Sequence, residues 1–303
     1  MQNRKFEVDL VYTWVNGADK EYLKTCFKYS DGTRDINPER YRDIYQLLKY
    51  SLRSAENYID WFDNVYIVTA RPQIPDWLDA THPKVHIVHH DEIIDEKYLP
   101  TFNPNCIESF LHKIPGLKEH FIYINDDFLF GSKTEPTDFY VDGKIRIFNT
   151  FVGENIPWRI YDGKNDIIGL GIIEHTPLLI NKKYWEEMTT IFPEKMDQTR
   201  SNKFRKNEDL MTYKLFRYFM LKHKKQLSQP IGIRDLLKIN TFHKITNNLP
   251  YQQKALLKIE KKRPKFYCLN DDQRENPNPK VVNIVKDFLE RNYPEKSSFE
   301  RVK

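Results

Sequence analysis

The first half of the sequence alternates short apolar runs with segments whose apolar residues recur at helical spacing. Residues 8–14, 65–69, 85–89 and 121–125 are apolar and rich in β-branched and aromatic side chains, so they predict strands. Residues 39–58 and 107–113 predict helices. Short buried strands separated by helices are typical of a parallel sheet covered on both faces. The pattern therefore predicts an α/β fold with a mostly parallel sheet flanked by helices.

The second half is less regular. It predicts strands over residues 144–148 and 266–269, helices over 181–191, 208–222, 251–265 (up to Pro264) and 281–291, and a polar loop over 158–171. No internal repeat or low-complexity linker interrupts it. We therefore predict an α/β core over residues 1–150, a helical and loop-containing second lobe over 151–264, and a C-terminal strand and helix over 265–303 that return to the core.

The composition predicts a globular chain that does not cross a membrane. Aromatic residues make up 14% of the 303 residues, and no run of eighteen apolar residues occurs. Residues 1–7 are charged and lack the apolar core of a signal peptide. The net charge of +5 is compatible with nucleotides, anionic polymer or a lipid surface. We expect a cytoplasmic chain, with peripheral attachment at the inner face of the bacterial membrane or association with capsule assembly as the alternative.

The cysteines give no sign of a disulfide framework or a zinc site. Cys26, Cys106 and Cys268 are odd in number and far apart, and none has CxxC spacing. This pattern favours a chain with reduced thiols.

The strand predicted over residues 121–125 ends in Asn125-Asp126-Asp127, so the chain changes from apolar to acidic in one step. In an open α/β sheet, ligands collect at the carboxyl ends of the strands. Adjacent carboxylates repel and are costly to desolvate, so they usually have a compensating cation. Oxygen ligands at this position suit Mg²⁺ or Mn²⁺ bound to a diphosphate. The alternative interpretation is a turn that caps the loop before residues 128–130.

A second predicted strand ends in the same way, because residues 266–269 are followed by Asn270-Asp271-Asp272. Two strand ends of this kind could meet at one diphosphate. The alternative interpretation is that Asp271 and Asp272 cap a surface turn before Asn276-Pro277.

A phosphoryl-transfer site needs cations on the non-bridging oxygens and a base near the incoming hydroxyl. The candidate bases are His175, His112 and the pair His89-His90. Guanidinium groups can bind phosphate through two parallel hydrogen bonds, and the candidates are Arg42, Arg53, Arg200 and Arg205. Residues of both types are more often structural or surface residues, and spacing alone does not choose among them.

The sequence lacks the motifs that identify several common classes of enzyme. It contains no GxGxxG, GxxxxGK[ST], GxSxG or HExxH motif, which excludes motif-based assignments to dinucleotide-binding, P-loop, hydrolase and zinc-protease classes. The basic residues 222–225 and 258–265 are expected to be solvated helix faces or patches facing an acidic acceptor or membrane. We expect no nucleic-acid partner.

Four segments carry a resemblance to a known family. The first is residues 9–17, DLVYTWVNG, and the fourth is residues 265–272, KFYCLNDD. The second runs through residues 41–43, 48–54, 65–69, 99–103 and 107–112 to 123–127, and the third comprises residues 175–177, 192–193 and 200–209. In this order they resemble the Stealth family of sugar-1-phosphate transferases, which includes bacterial capsular polysaccharide phosphotransferases and the lysosomal-targeting N-acetylglucosamine-1-phosphotransferase.

The resemblance implies a nucleotide-sugar-binding Rossmann-like fold similar to GT-A glycosyltransferases. It implies attack by an acceptor hydroxyl on the sugar-linked phosphorus, with nucleoside monophosphate leaving. Matched position by position, it implies that Mg²⁺ or Mn²⁺ is held by Asp126, Asp127, Asn270 and Asp271. It implies that His175 is the general base and that Arg205 steadies the phosphate. The residues implied for the nucleotide pocket are Thr13, Trp14, Asn16, Gly17, Arg42, Ser51, Arg53 and Asn103.

The leading hypothesis is transfer of sugar 1-phosphate from a nucleotide-diphosphate sugar, expected to be a UDP-sugar, to a glycan hydroxyl in capsule or exopolysaccharide synthesis. The expected acceptor is a polysaccharide or glycolipid. One alternative is a metal-dependent glycosyltransferase that forms a plain glycosidic bond. The other is a glycan- or nucleotide-binding module without catalysis.

Overall fold

The central element of the fold is a five-stranded sheet. The structure is a computed structural model that describes residues 6–30, 42–148 and 175–302. The strands of this sheet are β1 (Asp9–Thr13), β2 (Val65–Thr69), β3 (Val85–His89), β4 (His120–Asn125) and β8 (Leu178–Asn181). Their order is β3-β2-β1-β4-β8; the first four are parallel and β8 is antiparallel. The predicted α/β class with a mostly parallel sheet is confirmed.

Two smaller sheets complete the strands of the described residues. One has the order β10-β11-β5, with β10 (Asn240–Ile245) parallel and β5 (Phe128–Phe130) antiparallel to β11 (Phe266–Asp271). The other contains β6 (Tyr140–Val141), β7 (Lys144–Phe148) and β9 (Ser228–Ile231). Because β5 begins three residues after β4 ends, Asp126 and Asp127 form the turn that joins the central sheet to the second sheet.

In sequence, the helices of the described residues lie between these strands, except for the last, which follows β11. They are α1 (Lys20–Tyr29), α2 (Leu47–Tyr58), α3 (His90–Ile93), α4 (Pro104–Glu108), α5 (Lys182–Met188), α6 (Pro193–Ser201), α7 (Thr212–His223), α8 (Ile233–Ile239), α9 (Leu249–Lys262) and α10 (Pro279–Asn292). Helix α2 buries Leu48, Leu52 and Ala55, which recur at helical spacing, in the core shared with the central sheet. Among the described residues, every helix is too short or too polar to cross a membrane.

Helix α2 starts later than the sequence predicts. The apolar spacing predicts a helix over residues 39–58, but α2 begins at Leu47, and residues 39–41 lie outside the described residues. Gln46 has φ 52°, a left-handed conformation that a helix cannot continue through. The non-helical stretch that results carries Arg42 and Asp43. Similarly, the helix predicted over residues 107–113 is α4 followed by a 3₁₀ turn at Leu111–Lys113.

The described part of the predicted second lobe, residues 151–264, contributes strands to the sheets as well as helices. Its strand β8 forms an edge of the central sheet, and β10 forms an edge of the second sheet. The loop predicted over residues 158–171 lies outside the described residues. The division at residues 150 and 264 stays a prediction.

Candidate functional site

Asp127 lies where the turn after β4 meets strand β11. Its Oδ2 atom accepts hydrogen bonds from Cys268 Sγ at 3.1 Å and from Asn270 Nδ2 at 3.2 Å, and its carbonyl oxygen accepts from Leu269 N at 2.9 Å. Side chains alternate along a strand, so Cys268 and Asn270 share one face of β11. The two Asn-Asp-Asp segments of the sequence therefore lie against one another.

The second carboxylate oxygen of Asp127 fits a cation. Oδ1 is buried and has no hydrogen-bond partner among the described residues. A buried, unsatisfied carboxylate oxygen is costly. Burial, and then the neighbouring carboxylates of Asp127 and Asp43, raise the pKa of Asp126 well above its usual range. Carboxyl groups that disfavour one another's ionisation thus lie beside an oxygen that lacks a donor, an arrangement that suits a divalent cation with oxygen ligands.

Asp43 is an acidic member of the site for which sequence reasoning found no role. Its Oδ2 atom accepts a hydrogen bond from Trp14 Nε1 at 3.4 Å, and burial raises its pKa to about 6. A single acidic residue in a predicted helix carries no chemical signal. Its position depends on the non-helical backbone between Arg42 and Gln46.

In metal-free buffer, replacing Asp43 by asparagine is expected to stabilise the fold above pH 6 and to have little effect below pH 4. A carboxyl whose pKa is raised on folding destabilises the fold when ionised. This penalty grows between the unfolded pKa, near 4, and the folded pKa, about 6. Its upper limit is about 3 kcal/mol, and solvent screening reduces it.

Urea unfolding of both proteins at pH 4 and pH 8 in EDTA measures this difference. Asp76→Asn, at an exposed turn position, is the matched control and should change neither value. An equal effect of Asp43→Asn at the two pH values would contradict the assignment.

His175 and Cys268 complete a cluster around Asp127. His175 Nδ1 lies 3.5 Å from Cys268 Sγ and 3.8 Å from Asp127 Oδ2, and its ring stacks on Phe242 with centroids 4.7 Å apart. Burial, and then Asp127, raise the pKa of the Cys268 thiol well above its usual range. The cluster combines the turn after β4, the residues preceding β8 and strand β11. Sequence reasoning missed Cys268, although it lies on the strand predicted over residues 266–269, two residues before Asn270.

The residues predicted for the nucleotide pocket at the end of β1 lie at the same sheet edge. Thr13 is in register with Asn125, and Thr13 Oγ1 lies 3.0 Å from the Tyr123 hydroxyl. Both the backbone N–H and the carbonyl of Asn16 bond the side-chain amide of Gln73 at 2.9 Å. The segment containing Trp14, Asn16 and Gly17 is thereby held beside the acidic residues.

Arg42 and Asp271 bond to each other. Arg42 Nε and Nη2 donate to Asp271 Oδ2 and Oδ1 at 2.8 and 2.9 Å, and the two side chains are only 9% and 8% exposed. Strand β11 extends through Asp271, so alternation turns Asp271 away from the face that Asn270 shares with Cys268. The structure therefore places Asn270, but not the carboxylate of Asp271, against Asp127.

Three further residues predicted for the nucleotide pocket lie in internal networks. Ser51 is fully buried and donates to the Tyr12 hydroxyl. Arg53 binds both carboxylate oxygens of Glu300. Asn103 caps α4 and donates to Asp209 Oδ2 at 2.8 Å. These contacts hold the three side chains within the protein, and their assignment to the nucleotide pocket stays a prediction.

Glu108 is a buried carboxylate that is connected to the site through the Tyr123 hydroxyl, and sequence reasoning gave it no role. Its Oε1 atom accepts from the Tyr123 hydroxyl at 2.9 Å, and its other oxygen accepts from Thr212. The same Tyr123 hydroxyl lies 2.8 Å from Asn125 Oδ1, next to the acidic pair. Burial raises the pKa of Glu108, and the positive charge of Arg205 opposes this shift. Arg205 is exposed.

The other candidate bases are buried or half-buried, and the candidate phosphate clamp Arg200 is held in protein contacts. Burial, and then Arg200, lower the pKa of His112 to about 4, and burial lowers that of His90 to about 4. Arg200 donates to Ser109 and lies over the Phe110 ring, with its guanidinium carbon 4.2 Å from the centroid. Of the candidate bases, His175 is the one that contacts the acidic cluster.

Comparisons with known proteins match the Stealth family at four places in the sequence. The four conserved regions of the Stealth proteins match residues 6–34 (region 1), 40–147 (region 2), 174–222 (region 3) and 257–303 (region 4). Exopolysaccharide phosphotransferase CpsY of Mycobacterium tuberculosis is 32% identical over 98% of this chain. Capsular polysaccharide phosphotransferase SacB of Neisseria meningitidis serogroup A is 29% identical over 99%. This chain spans 58% of the length of each of these two relatives.

Other relatives match end to end. Capsular polysaccharide phosphotransferase WcwK of Streptococcus pneumoniae is 27% identical over 97% of this chain and 99% of its own length.

Among solved structures, galactosyltransferase LgtC has a TM-score of 0.45 at 8% identity and covers 94% of this chain and 96% of its own. Apo glycosyltransferase GlyE of Streptococcus pneumoniae TIGR4 has a TM-score of 0.44 at 10% identity, over 93% of this chain and 60% of its own. Because all four conserved regions match in order and the relatives align along nearly the whole sequence, this chain belongs to the Stealth family.

Proposed function

We propose that the protein transfers sugar 1-phosphate from a nucleotide-diphosphate sugar to a hydroxyl of a glycan acceptor in capsule or exopolysaccharide synthesis. The donor is expected to be a UDP-sugar, and the acceptor a polysaccharide or glycolipid. The observation that supports this most is the unpartnered buried Oδ1 of Asp127 at the carboxyl edge of the sheet. The other oxygen of the same carboxylate, Oδ2, accepts from Asn270 Nδ2 and lies 3.8 Å from His175 Nδ1. The names of the relatives, which are capsular and exopolysaccharide phosphotransferases, are consistent with it.

The proposed metal ligands are Asp127, with Asp126 and Asn270 beside it. A bound Mg²⁺ or Mn²⁺ would neutralise the charge of the donor's diphosphate. Asp271 is assigned a different role, because its carboxylate fixes Arg42 in the position described above. The Thr13–Gly17 segment provides the wall that the nucleotide contacts, at the end of the strand next to β4.

His175 is the proposed general base. The acceptor O–H loses its proton to His175, an acceptor O–P bond forms, and the P–O bond to the nucleoside monophosphate breaks. The sugar C1–O bond stays intact, so no carboxylate nucleophile under the anomeric carbon is required. Asp127 Oδ2, 3.8 Å from the ring, favours the imidazolium that results. Arg205 is the proposed cation on the phosphate oxygens, because it is exposed and positively charged near this edge.

The reaction type is tested by identifying the products. A thermal-shift screen of nucleotide sugars with and without Mg²⁺ selects the donor, because a ligand that binds the folded state stabilises it. With that donor and a glycan acceptor, we expect a phosphodiester resonance in the ³¹P NMR spectrum and release of nucleoside monophosphate. Release of nucleoside diphosphate with a plain glycosidic bond would show a glycosyltransferase instead. Donor binding without turnover would show a binding module.

The role of His175 is tested in the same assay. His175→Ala is expected to lower turnover by about 10²–10⁴-fold, the range for loss of a general base. His223→Ala is the matched control, because His223 is exposed at the end of α7. Similar turnover in both variants would refute the assignment of the base.

A further inference from the structure

One side-chain atom each of Asp127, Cys268 and His175 lie close together and form a triangle. The separations are 3.1 Å from Asp127 Oδ2 to Cys268 Sγ, 3.5 Å from Cys268 Sγ to His175 Nδ1, and 3.8 Å from His175 Nδ1 to Asp127 Oδ2. A tetrahedral zinc ion with bonds of about 2.0–2.3 Å separates its ligand atoms by roughly 3.3–3.6 Å. Each edge of the triangle therefore needs to change by a few tenths of an ångström or less.

The types of ligand atom select a soft or borderline cation. A thiolate, an imidazole nitrogen and a carboxylate oxygen, with one position left open, are a donor set that binds Zn²⁺. Mg²⁺ takes oxygen ligands, so the thiol of Cys268 does not contribute to its binding. A cation that uses Cys268 is thus chemically distinct from the one proposed for catalysis.

The backbone around the triangle is held by the sheet and by ring packing. Cys268 pairs with Phe242 on one side and with Phe128 on the other, in the middle of β11. The Asp127 carbonyl is fixed by Leu269 N, and the His175 ring stacks on Phe242. Asn270 Nδ2 donates to Asp127 Oδ2 and would orient the ligand from outside the metal.

From this geometry we propose that Asp127, His175 and Cys268 form a Zn²⁺ site whose occupation blocks the transferase. On binding, the Cys268 S–H bond breaks, its proton leaves to solvent, and bonds from zinc to Sγ, Nδ1 and Oδ2 form. Zinc at this position takes Asp127 away from the catalytic cation and occupies a ring nitrogen of the base. The inhibitory part rests on the proposed function, whereas the binding part depends on the three side chains alone.

Binding is tested with the metal alone on full-length protein stripped with chelator. Calorimetry with Zn²⁺ should show one site per chain, and Co²⁺ as a spectroscopic probe should give a thiolate-to-cobalt charge-transfer band. Cys268→Ala should remove that band and weaken Zn²⁺ binding by more than the roughly 10–100-fold that loss of an outer-sphere partner costs. Cys26→Ala and Cys106→Ala, which remove the other buried thiols, should retain both signals.

Each outcome decides the proposal. A Co²⁺ complex without a thiolate band in the wild type, or unchanged Zn²⁺ affinity in a folded Cys268→Ala variant, would overturn the site. If that variant does not fold, the wild-type band and its loss in His175→Ala decide instead. In the transferase assay Zn²⁺ should inhibit in the presence of Mg²⁺ and chelator should reverse it; zinc binding without inhibition would overturn the blocking role. Absence of turnover with every donor would refute the proposed function and leave the binding result standing.

Discussion

Replacing Asp127 by asparagine is expected to abolish sugar-1-phosphate transfer while leaving the fold at least as stable as in the wild type. The change removes the charge that holds the proposed cation, and such a cation supplies several kcal/mol of transition-state stabilisation. We therefore expect turnover to fall by about 10³-fold or more. Stability should not fall, because Oδ1 has no hydrogen-bond partner to lose and the repulsion of Asp126 is relieved.

The two expectations are measured on the same preparation. Turnover is followed by release of nucleoside monophosphate, and the free energy of unfolding by urea titration in EDTA. Asp272→Asn is the matched control: it changes the corresponding acid of the second Asn-Asp-Asp, whose carboxylate pairs with Arg274 at 3.4 Å and is 28% exposed. We expect it to retain turnover. If Asp127→Asn keeps full turnover, the carboxylate is not the metal ligand proposed. If the variant is less stable than the wild type, the expectation for stability is wrong.

The strands were predictable where a short apolar run is bounded on both sides. Val65–Thr69 and Lys144–Phe148 have the predicted bounds. The first is buried along its whole length, and the second alternates basic residues with buried apolar ones. The start of α2 was not predictable in this way. Gln46 adopts a left-handed backbone without being the glycine or asparagine that signals one, so the apolar periodicity runs past the true start.

The site was predictable only as far as strand ends reveal it. The sequence identifies Asp127 and Asn270 because each follows an apolar run. The predicted strand ended at Leu269, which allowed Asn270 and Asp271 to face one centre; the strand in fact continues through Asp271, and alternation separates them. Cys268 was beyond the reach of spacing rules, because its partners are residues 127 and 175 and the contact depends on antiparallel pairing of β5 with β11.

The site residues implied by the family resemblance fall into two groups, buried side chains with protein partners and exposed side chains. A matched segment does not distinguish a side chain that binds substrate from one that holds the segment in place. Asn103 and Ser51 are fully buried with protein partners, whereas Arg205 is exposed. Sequence similarity is carried by both kinds of residue, so the assignment of each one depends on its contacts.

The strongest expected effect on stability concerns Arg53 and Glu300. Arg53 Nε and Nη2 donate to the two carboxylate oxygens of Glu300 at 2.6 and 2.9 Å, and Arg53 Nη1 donates to the Tyr293 carbonyl at 2.7 Å. The side chains are 3% and 5% exposed. Glu300→Ala leaves a buried guanidinium without its counter-charge, so we expect the free energy of unfolding to fall by about 3–5 kcal/mol.

The comparison that isolates this pair uses a second partner of the same arginine. Glu290 lies 3.4 Å from Arg53 Nη1 but is 58% exposed, so Glu290→Ala should cost less than about 1 kcal/mol. The double variant Arg53→Leu with Glu300→Leu should recover much of the loss, because neither charge then remains buried alone. Urea unfolding measures all three, and the KM for the donor is measured on whichever variants fold. A donor KM raised tenfold in the stable double variant would return Arg53 to the nucleotide pocket, whereas an unchanged KM assigns it to joining α2 and the C-terminal segment.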